Sequence, residues 1–181
     1  MAHAGTTITL PSVVAQAIAA IALGLLGASG VAKLVDPEPT TGAMNAARLP
    51  SSNTLSRLLG LAEVVGTIVA LVTAGTSVLL AVGLYAAFAA FTLAAVVFRL
   101  PLQSCGCFGR EDTPPTILHV AFNFIATSAL LFLFFTGSAP IDWALPALDL
   151  ALYLGFTVMG VYATYLLMTR LPQVLELAGE T

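Results

Sequence analysis

Charge is what this sequence has least of. Only 8% of its 181 residues are ionisable Asp, Glu, Lys or Arg, and just six of these are basic. A water-soluble domain carries about 25%. So few charges cannot coat a water-facing surface of this size, which excludes an ordinary soluble domain. No basic block is present, so nothing marks a nucleic-acid partner. Residues Met1 to Leu10 contain no Lys or Arg. The positive region of a cleavable signal is therefore missing, and the first apolar run is too long for a signal core. That run is expected to be a span of the mature protein. Cysteine is nearly absent too: Cys105 and Cys107 are the only two.

What remains is 59% hydrophobic. The apolar runs predict an all-α, polytopic membrane helix bundle, with four core transmembrane helices plus a fifth C-terminal one. The spans are expected at about 13–34, 55–72, 78–97, 117–135 and 148–168. All 181 residues are read as one membrane domain, with no internal repeat.

Pro37 and Pro39 are expected to stop the first helix. The polar connection after them is the longest between spans, and a short interfacial helix is expected near Gly42 to Leu49. The link from Thr73 to Ser77 is short, so the second and third spans should be antiparallel neighbours. Small residues recur four apart at Ala20, Gly24, Ala28 and Ala32, and Gly83, Ala86, Ala90 and Ala94 again form a small-residue face. Each series places small residues on one face, where another backbone can come close. Trp143, between the last two spans, reads as an interface anchor.

Polar residues inside the spans are few. Glu63 lies between Leu61-Ala62 and Val64-Val65. An ionisable group at that depth costs a few kcal/mol on insertion scales, roughly 2.5–3.5, and so faces the bundle interior or a partner. It reads either as a proton or ligand contact or, the better supported alternative, as half of a structural pair. Lys33, at the end of the first span, is the first partner to test. His119 and Asn123 stand four apart, hence on one face of the fourth span.

The segment between the third and fourth spans carries Cys105-Gly106-Cys107-Phe108-Gly109. Three uses fit thiols one residue apart. One is a redox-active dithiol. Fully extended, Cα atoms two residues apart are about 7 Å from each other, at the far limit for a disulfide. The backbone must bend, which Gly106 permits, and a strained disulfide suits exchange rather than stapling. Gly109 offers a second bend. Another use is a metal site with His119 as third ligand, but a closed zinc site wants four ligands. The last is two free thiols in a turn. His119 would orient or deprotonate a thiol, or else cap its helix. Arg99 and Arg110 would favour a thiolate by charge, or else anchor helix ends.

All six basic residues, Lys33, Arg48, Arg57, Arg99, Arg110 and Arg170, flank connections on one side of a five-span topology. The positive-inside rule then expects the N-terminus outside the plasma membrane and the Cys-Gly-Cys loop in the cytoplasm.

These features together resemble the methylamine-utilisation MauE family, within the wider DoxX-like membrane proteins. The resemblance rests on Gly30-Val31-Ala32-Lys33-Leu34 with Asp36-Pro37, on Glu63, on the Cys-Gly-Cys-Phe-Gly run and on Asn123. It covers roughly residues 13–135 and leaves the fifth span outside. It implies a redox-linked helix bundle acting with a thioredoxin-like partner in maturation of a disulfide-rich client, the small subunit of methylamine dehydrogenase in the namesake pathway. Cys105 and Cys107 would then exchange electrons, with Gly106, Phe108 and Gly109 shaping the loop. Lys33, Glu63, His119 and Asn123 would be its polar bundle positions. Maturation of an exported client wants thiols on the outer side, whereas the charge distribution puts them inside. A membrane assembly factor without enzymatic activity, or a quinone-binding bundle, are the other readings.

Overall fold

The computed structural model describes residues 10–73, 75–102 and 114–179, with side chains through Leu171. Among the described residues there are six α-helices and no strand. They are α1 (Leu10–Val35), α2 (Glu38–Ala46), α3 (Asn53–Val72), α4 (Val78–Val97), α5 (Ile117–Thr136) and α6 (Ala147–Gly179), with a 3₁₀ turn at Gly75–Ser77 before α4. All but α2 are long and apolar enough to cross a membrane. The expected all-α membrane bundle is therefore present, with the spans close to where hydropathy put them.

The element after the first span differs from expectation. A helix is there, but it runs from Glu38 to Ala46 rather than from Gly42 to Leu49. Pro37 and Pro39 end α1 and also start α2: Pro37 stands at its N-cap and Pro39 in its first turn. A first-turn proline loses no intrahelical bond, because the N–H it lacks would be unpaired anyway. The helix closes at Arg48, whose φ of 58° is left-handed.

The connections fix an alternating arrangement. At one end, Trp143 donates its indole N–H to the Leu71 carbonyl at 2.8 Å, tying the α5–α6 link to the C-terminal end of α3. Gln16, near the start of α1, donates to the Ala139 carbonyl of the same link at 3.1 Å. Trp143 is thus a hydrogen-bonded clamp between that link and α3. At the other end gather α2, the C-terminal ends of α1 and α4, and the N-terminal ends of α3 and α5.

The apolar core lies toward the Trp143 end. It is built from Ala19, Ala22, Leu23 and Leu26 of α1, Ala70 of α3, Val78, Ala81 and Tyr85 of α4, and Ala126, Ala129, Leu130 and Leu133 of α5. Tyr85 donates its hydroxyl to the Ala22 carbonyl, so the one phenol in this core is satisfied. The small-residue stripes are not all used. On α4, Gly83, Ala86 and Ala90 are exposed. The buried face is instead the one through Ala81, Tyr85, Ala89, Thr92 and Ala95. With Ala on every side, spacing alone could not tell which face packs. On α1, Ala28 is likewise exposed, whereas Gly24 packs against Val161 of α6. The span of α6 buries none of its most apolar window and lies on the outside of the bundle.

Candidate functional site

Where α1 and α3 cross, two glycines let the backbones meet. A Cβ on Gly30 would lie 2.6 Å from the Gly60 carbonyl oxygen, and one on Gly60 would lie 2.7 Å from the Gly30 carbonyl oxygen. Neither position tolerates a side chain without movement of backbone. Three residues after each glycine, on the same helical face, stand Lys33 and Glu63. A Cβ on Gly30 would also press on the Cβ of Glu63, and one on Gly60 on the Cβ of Lys33, both at 2.9 Å. Each glycine clears the ground for the opposite helix's charged side chain.

Lys33 and Glu63 are accordingly paired. The ammonium Nζ donates to Glu63 Oε2 at 3.0 Å. It also stands 2.9 Å from Oε1, so both carboxylate oxygens face the ammonium. The side chains are 2% and 0% exposed. Lys33 also donates to Ser29 Oγ, one helical turn back on its own helix. Its Nζ lies 5.6 Å from the ring centroid of Phe88, within range of a cation–π attraction. Ion pairing, a hydroxyl acceptor and an aromatic face together offset the desolvation of a lysine that points into the bundle rather than toward the membrane surface.

Around this pair lies a set of polar groups at the same end. Thr41 of α2 bonds Ser56 of α3 at 2.8 Å, and Ser56 is fully buried. Asn123 of α5 donates to Thr92 Oγ1 of α4 at 3.4 Å. His119, 2% exposed, is turned toward the start of its own helix. Its Nδ1 accepts the Thr116 backbone N–H at 3.2 Å, and the Thr116 hydroxyl is 3.0 Å from the same nitrogen. It therefore caps α5. His119 and Asn123 also line, with Ser29, Tyr85 and Phe88, a cavity of about 30 Å³. Tyr85 packs edge-on against Phe88 and Phe122, with ring centroids 6.5 and 6.1 Å apart, closing the cavity's aromatic side.

The four polar bundle positions thus fall at one end of one bundle, Lys33 and Glu63 in direct contact, His119 and Asn123 on the neighbouring helix. Ser29, Thr92 and Phe88 complete the arrangement and were not singled out by sequence. Ser29 carried a usable signal, since it precedes Lys33 by four residues and so shares its face. Cys105, Gly106, Cys107, Phe108 and Gly109 lie outside the described residues, as does Arg110. The chain leaves the described structure at Leu102 and re-enters it at Pro114, both at this polar end. Arg99 holds a left-handed φ of 48° just after α4, where the Leu100 N–H bonds back to the Ala95 carbonyl at 3.0 Å. It ends the helix there.

A helix bundle of this kind, apolar at one end and crossed by a buried Lys–Glu pair at the other, is a polytopic integral membrane protein. The family described as methylamine utilisation protein MauE matches residues 11–136, and the chain belongs to that family. The match spans α1 to α5, hence all the polar groups above, and ends before α6. No curated protein and no solved structure matches the chain.

Proposed function

We propose that the protein is a membrane thiol–disulfide exchange component. Cys105 and Cys107 cycle between dithiol and disulfide. When the pair closes, its two electrons and two protons pass to the disulfide of a thioredoxin-like partner, which opens to a dithiol; the reverse transfer recharges the pair. The client served is a disulfide-containing protein in need of maturation, in keeping with the family's association with methylamine utilisation. The observation that carries this reading is the position of the only two thiols. They lie one glycine apart in the segment between α4 and α5, which starts and ends at the polar end of the bundle. A thiolate is the attacking species in exchange, and polar surroundings favour it over a lipid-facing position.

The test is a Cys105→Ser, Cys107→Ser double variant in membranes, assayed for exchange with a thioredoxin-like dithiol. We expect normal insertion and loss of exchange. Exchange that persists in the double variant would rule the reading out. The other reading is an assembly factor without redox activity. It draws on the Lys33–Glu63 pair, whose geometry is that of a brace between helices. In that case cysteine variants lose stability but still hold the client.

A further inference from the structure

The cavity beside the ion pair has a chemical character that neither exchange nor bracing uses. It is set by His119. The Thr116 backbone N–H is a donor in every state of the protein, and it points at Nδ1. That nitrogen must therefore carry a lone pair, which places the proton of the neutral imidazole on Nε2. Nε2 is buried and has no hydrogen-bond partner among the described residues. A buried donor left unmatched is destabilising, so a partner there is favoured. The capping bonds hold the Nδ1 edge toward the helix start, and His119 is one of the residues that line the cavity.

We propose that this cavity is a water-binding site that joins His119 to the Lys33–Glu63 pair. Its volume of about 30 Å³ suits one or two water molecules, since one needs about 10–15 Å³ by this measure. Its polar lining supplies the two to four partners a buried water requires: the Nε2–H donor, the Ser29 hydroxyl and the Asn123 amide. Ser29 already accepts from Lys33, so a water on Ser29 is one bond from the ion pair. The result is a hydrogen-bonded path within the membrane from the N-terminal end of α5, through water and Ser29, to Lys33 and Glu63. Protons can move along such a path without charged side chains leaving the bundle.

The test needs no turnover. A His3→Gln protein has His119 as its single histidine. With ¹⁵N-labelled histidine in lipid bilayers, solid-state NMR reads the tautomer from the two ring nitrogens, and water-edited transfer reads whether Nε2–H touches water. We expect a neutral ring protonated on Nε2 with a clear water cross-peak. A proton on Nδ1, or an Nε2–H that receives no transfer from water, would overturn the site. Leu25→Phe then thickens the cavity wall without removing a polar group. It should abolish the cross-peak and keep the tautomer; a cross-peak that survives would place the water elsewhere and defeat the assignment. Because hydration is read directly, a dry His119 leaves thiol exchange standing, and inactive cysteines leave the water site standing.

Discussion

The two ends of the bundle are held by different forces. Toward Trp143, Leu23, Leu26, Leu130 and Leu133 interlock with alanines. Toward Lys33 the same helices bury Ser29, Ser56, Glu63, Thr92, His119 and Asn123. In lipid the tails are as apolar as leucine, so an apolar contact between helices gains close packing and little from leaving water. A polar contact gains more by comparison, because its alternative is an unpaired group in hydrocarbon. Specificity therefore resides at the polar end. The apolar end fits its neighbours by shape, and many combinations of Leu and Ala would serve. The polar end admits one register, since Lys33 meets Glu63 only when Gly30 lies on Gly60.

Three sets of substitutions test that contrast. The largest effect is expected from Lys33→Met or Glu63→Leu alone, each of which strands a buried charge. Either should cost about 3–5 kcal/mol, and the double variant should recover most of the loss. A double-mutant cycle of unfolding in bilayers or mild detergent measures it. Additive losses would show that the two residues act separately. Next comes Gly60→Ala, which sets a methyl against the Gly30 carbonyl and should cost about 1–3 kcal/mol. Gly83→Ala is its control, because nothing lies within 4 Å of a Cβ there. Equal losses at the two glycines would sever the link between close approach and ion pairing. Smallest is Leu130→Ala at the apolar end, expected near 2 kcal/mol. That is the low end of the range for buried leucines, because the transfer term is small in lipid. The same unfolding assay should show no rescue from any second change in the Lys33–Glu63 pair.

Much of this was open to reading from residues. Glu63 in an apolar run demanded an interior partner, and few cations lay within reach; Lys33 at the end of the preceding span was the evident one. The spans followed from hydropathy, since a bilayer sets the length an apolar helix must have. The prolines after α1 predict a stop, and in the structure they also start α2, because a proline fits the first turn of a helix. The stripe on α4 misled for a physical reason. Where nearly every residue is small or apolar, lipid-facing and buried faces have the same composition, so periodicity carries no information about which is which.

Hydropathy and the placement of charge alone establish a membrane helix bundle, five apolar spans, and which residues are too polar to face lipid. Those conclusions need only the cost of a charge in hydrocarbon and the thickness of a bilayer. Tertiary structure alone decided which face of each helix packs, that Gly30 and Gly60 touch, and that Ser29, His119 and Asn123 close around one small cavity beside the ion pair. Such contacts join residues far apart in the chain, and they depend on steric fit between helices, a property that no local pattern of side chains encodes.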